Sequence, residues 1–128
     1  MTTSAHHIRI LVVEDEYLIA LMIEDTIRGL GFEVAGPVGD LPGAVRLAES
    51  EPLSAAILDV HLQRGERVYP VVEILQRRGV PLMLTTAYRE IEIERAYAGQ
   101  ILLRKPFDQA QLEQCVVRLL EPARSRRT

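Results

Sequence analysis

The chain is short of the residues that make covalent or specialised frameworks. It has one cysteine in 128 residues, so an internal disulfide is excluded and a reducing compartment is the simpler expectation. Cys115 falls at helical spacing with Leu112, Val116 and Leu119, which suits a small core residue. Tryptophan is absent. Basic charge is not in excess: 15 Lys and Arg stand against 18 Asp and Glu, a formal charge of -3. That balance argues against general nucleic-acid binding. No apolar run approaches the about 20 residues of a membrane span. Residues 1–7 are polar and lack the apolar core of a signal peptide. A cytoplasmic protein with no membrane contact is expected. No Gly-rich phosphate loop follows the first apolar segment, which removes the dinucleotide and P-loop readings.

What is present is enough apolar residue for one core: 48% hydrophobic and 26% charged. Residues 8–121 are expected to form one domain. Residues 1–7 would be a disordered tail; His6 and His7 could bind a stray metal there, but a frayed end is the expected reading. Residues 122–128 would be a short, solvated basic tail.

The chain alternates strand-like and helix-like segments. Ile8 to Val13 reads as a buried strand ending at Glu14-Asp15-Glu16. A helix follows, with Leu18, Met22, Ile23, Ile27 and Leu30 expected on its inner side, acids at its positive end, and Gly31 to stop it. Phe32 to Ala35 is a second strand, closed by Gly36-Pro37. Asp40 caps a second helix with Pro42 in its first turn and Ala44, Leu47 and Ala48 inward. Ala55 to Asp59 is a third strand. A loop with Gly65 leads to a helix from about Val68, with Val71, Val72 and Leu75 inward and Gly79 beyond it. Pro81 to Thr86 is the fourth strand. Glu90 to Glu94 alternates acid and apolar, but the residues after it favour a helix, so a short, irregular helix is expected. Ile101 to Leu103 is the fifth strand. Asp108 to Gln111 has the spacing of a capping box for a last helix carrying Leu112, Val116, Leu119 and Leu120. Five βα units imply an α/β fold with a parallel sheet and helices on both faces.

Parallel strands deliver their carboxyl ends to one edge, where ligands bind. The strand ends here carry Glu14 and Asp15, Asp59, Thr86 and Lys105. Taken singly, each has an ordinary explanation as a helix-end acid, a turn residue, a strand former or a surface charge. Taken together they form a specific set. Clustered carboxylates repel, and a divalent cation relieves that. Oxygen ligands and phosphate suit Mg²⁺. Lys105 offers a compact positive charge and Thr86 a hydroxyl to an anion. Asp59 is then placed to be a nucleophile toward phosphorus.

With Leu11-Val12-Val13-Glu14-Asp15-Glu16, Ile57-Leu58-Asp59, Leu84-Thr85-Thr86-Ala87 and Lys105-Pro106-Phe107 in this order and spacing, the chain resembles the receiver domains of two-component response regulators. The resemblance covers Ile8 to Leu120. It implies a flavodoxin-like, doubly wound (βα)5 sheet of order 2-1-3-4-5. It implies that Asp59 accepts a phosphoryl group from a histidine kinase or histidine phosphotransfer protein. Asp15 would bind Mg²⁺ directly, Glu14 through water, and the backbone carbonyl of His61 would be a further ligand beside Asp59. Thr86 and Lys105 would contact the phosphoryl oxygens, and the Lys105-Pro106 bond is often cis in the family.

Several positions depart from the pattern. Gln63 stands where many members have proline. Leu102 stands where the switch aromatic would be, so a rotamer switch paired to Thr86 is not expected. The interval from Thr86 to Lys105 is short, which puts the usual fourth helix in question. These departures resemble a subgroup of stand-alone receivers with a Phe-Ala-Thr-Gly-x-Tyr-like fourth strand end, and Val68-Tyr69-Pro70 also looks like that group. His61 and Tyr88 are candidates for tuning phosphoryl lifetime.

The expected role is therefore a phosphoacceptor that signals to an unidentified protein partner, or passes the phosphoryl group on, as a monomer or weak homodimer. It would not be a turnover enzyme, beyond self-phosphorylation from donors and slow loss of the group. Two other readings are a phosphatase with Asp59 as transient nucleophile, and a flavodoxin-like module without phosphotransfer. The first usually needs a second carboxylate where this chain has His61. The second would want a phosphate cradle where this chain is acidic.

Overall fold

Aliphatic and β-branched residues are concentrated in five segments, and these pair into one parallel sheet. In the computed structural model, which describes residues 7–89 and 91–121, the strands are β1 (Arg9–Val13), β2 (Glu33–Val38), β3 (Ala55–Asp59), β4 (Leu82–Thr86) and β5 (Ile101–Arg104). Their spatial order is β2-β1-β3-β4-β5, all parallel, as expected. The helices between them are α1 (Tyr17–Gly29), α2 (Leu41–Ser50), α3 (Tyr69–Arg77), α4 (Ile91–Ala96) and α5 (Gln109–Leu119). A 3-10 turn, Gln63–Gly65, follows β3. Residues 1–6, residues 122–128 and Glu90 lie outside the described residues, and with them the expectations for both tails and for the start of the Glu90–Glu94 segment.

Side chains alternate across the strands and build a core on each face. Ile10, Val12, Ile57 and Met83 pack with Ile23 and Ile27 of α1 and with Leu112, Val116 and Leu119 of α5. Leu11, Val13, Leu58 and Leu84 pack with Ala44 and Ala48 of α2, with Val71, Val72 and Leu75 of α3, and with Ile93 of α4. Cys115 is half-buried against the α1–α5 core, and burial pushes its thiol pKa up.

Local signals set most of the boundaries. Asp40 accepts from the Gly43 N–H at 2.8 Å, and Asp108 and Gln111 complete a reciprocal capping box at 2.8 and 2.9 Å. Gly31 and Gly79 take positive φ where α1 and α3 end. The Phe32 N–H donates to Ile27 and the Val80 N–H to Leu75, the long bonds of two Schellman stops.

Two expectations are corrected. Leu18 is 76% exposed, and the inner stripe of α1 is Ala20, Ile23, Thr26 and Ile27. Glu16 occupies the N-cap of α1, at its positive end, without a side-chain bond, and Glu14 turns inward. Gly36-Pro37 does not close β2, which continues to Val38 past a register shift against β1. Gly36 has φ +99°, and a Cβ there would stand 2.9 Å from the Val12 carbonyl oxygen and from the Val38 nitrogen. Only glycine fits that bulge. Both Gly36-Pro37 and Lys105-Pro106 are cis. The fourth helix is present, at six residues.

Candidate functional site

The bulge in β2 has a consequence for the site. It brings the Val38 carbonyl to the Glu14 N–H at 2.9 Å, which fixes the chain where it leaves β1. Glu14 is 3% exposed, and its Oε2 accepts from the Glu16 N–H at 3.1 Å. Asp59, 4% exposed at the end of the central strand β3, accepts from the His61 N–H at 3.3 Å. Lys105 leaves β5 and brings its ammonium into this acidic group. Its Nζ lies 3.0 Å from Glu14 Oε1, 3.1 Å from Asp59 Oδ2 and 3.4 Å from Glu16 Oε1. Lys105 is the only lysine of the chain, against fourteen arginines. A compact ammonium can serve three carboxylates in a small space where a planar guanidinium fork cannot.

The electrostatics follow from burial. Removal from water, then the Asp59 charge, pushes the Glu14 carboxyl up to about 7 despite Lys105. Burial also raises Asp15, with the Asp59 charge adding to it. For Lys105, burial works against the ammonium. Its contacts with Glu14 and Asp59 outweigh that, so its pKa rises.

Carboxylate oxygens of Glu14, Asp15 and Asp59 lie within 4.8 Å of one another. Three hard oxygen donors at that spacing fit a small divalent cation, and two of them, Asp15 and Asp59, border a cavity of about 250 Å³ lined also by Glu16, His61, Tyr88 and Lys105. The His61 and Tyr88 rings meet edge-on at 4.4 Å beside it.

The sheet thus brings Glu14, Asp15, Asp59, His61 and Lys105 together. Thr86 is placed differently. It is fully buried, and its Oγ1 accepts from the Tyr88 N–H at 3.1 Å. The Tyr88 carbonyl in turn accepts from Arg104 Nη1 at 2.9 Å. Leu102 pairs with Leu84 in the sheet and packs into the α2–α3 core, so no aromatic stands at that point of β5. Sequence reasoning missed the roles of Glu16 and Arg104. It named Lys105 without weighing that it is the only lysine, a signal that was available in the composition.

No family model matches the chain. Individual proteins do. The receiver (REC) domain of the Erythrobacter litoralis response regulator PhyR superposes with a TM-score of 0.76 at 29% identity, over 90% of this chain and 91% of that one. SdrG from Sphingomonas melonis Fr1 superposes with a TM-score of 0.80 at 36% identity, over 92% of this chain and 99% of that one. The chain belongs to the response regulator receiver family. The transcriptional regulatory protein PdtaR of Mycobacterium tuberculosis is 33% identical over 102 residues, 77% of this chain and 50% of that protein. The chain spans about half the length of the curated relatives it matches.

Receivers are phosphoacceptor signalling domains, generally non-catalytic, and they usually bind Mg²⁺ in an acidic pocket. The acidic cluster of this receiver lies where that pocket is expected, at the carboxyl ends of β1 and β3. Among the described residues no helix is long and apolar enough to cross a membrane.

Proposed function

We propose that this receiver takes a phosphoryl group on Asp59 from the phosphohistidine of a histidine kinase or histidine phosphotransfer protein. The observation that carries this reading is the position of the Asp59 carboxylate: at the end of the central strand, with one oxygen 3.1 Å from Lys105 and with Glu14 and Asp15 oxygens within 4.8 Å.

An Asp59 oxygen attacks phosphorus. The new O–P bond forms as the P–N bond breaks, and the electron pair returns to the imidazole, which takes up a proton. The phosphoryl group spreads its charge over three oxygens, so transfer depends on positioning and neutralisation. Lys105 supplies one positive charge. Mg²⁺, held by Asp15, Glu14 and Asp59 and by the His61 carbonyl, would supply the rest of the neutralisation. Thr86 can keep its Tyr88 N–H bond and still turn its proton toward a phosphoryl oxygen, because a hydroxyl has one donor and two acceptor sites. His61 and Tyr88 border the space through which water must approach the acyl phosphate. Output passes to a protein partner or onward by phosphotransfer.

Incubation with acetyl phosphate and Mg²⁺ is expected to add one phosphoryl mass to the chain, lost again on standing, and Asp59→Asn is expected to add none. An unmodified wild-type chain under those conditions would falsify the reading.

A further inference from the structure

Thr85 is a buried polar residue to which the site gives no task. It is fully buried, and its Oγ1 has no hydrogen-bond partner among the described residues. A dry, unpaired hydroxyl is costly, whereas valine offers the same shape without that cost.

Its place in the sheet is specific. Thr85 stands opposite Asp59 on β3 and opposite Leu103 on β5. Ile57, Met83 and Leu103 belong to the α1–α5 core. Two residues further along each strand, on the same face, come Asp59, Thr85 and Lys105. Lys105 starts from the end of β5, yet its Nζ rests against Asp59 of β3 and Glu14 at the end of β1. In the order β1-β3-β4-β5, that side chain must cross the end of β4, where this face carries Thr85, level with Asp59, and then Ala87.

We propose that Thr85 is a positioning residue for Lys105, its hydroxyl accepting a hydrogen bond from the ammonium as the phosphoryl group is transferred to Asp59. This rests on the reading of Asp59 as the phosphoacceptor. In the unmodified chain the ammonium faces Glu14, Asp59 and Glu16. In the acyl phosphate the negative charge lies on the phosphoryl oxygens, so the ammonium turns from the Asp59 carboxylate oxygen toward them and one of its three N–H donors is left facing the end of β4. The Thr85 oxygen takes that donor and keeps Lys105 over the phosphorylated group, where the exposed Glu16 would otherwise draw it outward.

The test compares wild type, Thr85→Val and Thr85→Ser for the rate of phosphoryl uptake from acetyl phosphate with Mg²⁺, followed by intact mass, and for the urea midpoint. Thr85→Val is expected to unfold at the same or higher urea, yet to take up phosphate on the order of tenfold more slowly, the scale of one hydrogen bond to a charged group. Thr85→Ser is expected to stay within about twofold of wild type in uptake, since it keeps the hydroxyl. Labelling with [15N]lysine gives a single side-chain signal, that of Lys105. In the phosphorylated valine variant its exchange with water is expected to be faster than in wild type. Wild-type uptake and exchange in Thr85→Val overturn the inference and leave the phosphoacceptor reading standing. A wild-type chain that takes up no phosphoryl group removes both.

Discussion

At Lys105 one ammonium faces three carboxylates, and two of those, Glu14 and Asp59, are almost wholly buried. Isolated buried charges of one sign are unstable, so the residue chemistry here requires a cation, and Lys105, just beyond β5, supplies it. A second titrating side chain lies away from this site. Burial, with Tyr69 and Glu73 nearby, pushes the Tyr97 hydroxyl from 10.0 up to about 12, and its ring lies 5.6 Å from that of Tyr69. The fold therefore favours neutral tyrosine. Its contribution to stability is complete below pH 10 and is lost as pH rises toward 12. Wild type is expected to lose urea resistance more steeply across that window than Tyr97→Phe, and parallel curves for the two would contradict it. Glu14, Asp15, Asp59 and Lys105 were legible in the sequence because each ends a recognisable strand. The Thr85 hydroxyl was not, because Thr85 and Thr86 are neighbours of one type and only the sheet decides which face each takes.

Among the elements, the bulge of β2 has the most direct link to the site. Gly36 holds φ +99° between Val12 and Val38, and Val38 fixes the Glu14 backbone. Gly36→Ala would force a Cβ into the left-handed region and against two backbone atoms. A loss of about 2 kcal/mol or more in urea unfolding is expected, together with slower phosphoryl uptake. An alanine variant as stable as wild type would remove the account of the bulge. The sequence suggested that Gly36-Pro37 ended the strand, since both residues usually punctuate structure. The pairing of Val13 with Val38 overrode that local signal. In α1 two apolar stripes overlap, one through Leu18 and Met22 and one through Ala20, Ile23 and Ile27. Periodicity shows both. Docking onto the sheet buries the second and leaves Leu18 outside.

Across the whole molecule, burial is uneven. Every residue of β3 and β4 is buried, while α4 is six residues long and, among its described side chains, only Ile93 is buried. Local opening free energies follow such differences. Amide exchange is expected to be slowest in β3 and β4, near the limit of global unfolding, and much faster in α4, which opens by itself. Equal protection of α4 and β4 would show that the short helix is held by more than its one buried anchor. A loosely held α4 next to the Thr86–Tyr88–Arg104 hydrogen bonds is also suited to respond when the site is modified.

The sequence by itself determined the alternation of five strands and five helices, the caps at Asp40 and Asp108, the stops at Gly31 and Gly79, and the carboxylates and lysine at the strand ends. These are local matters of periodicity, backbone freedom and the placing of charge at the end of an apolar run. Only the tertiary structure decided which stripe of α1 is inside, that β2 passes through its glycine and proline, and that one lysine crosses two strands to reach Glu14. Those depend on which surfaces meet, and a side chain's partner across a parallel sheet is set by register and face. Neither is written in the order of neighbouring residues.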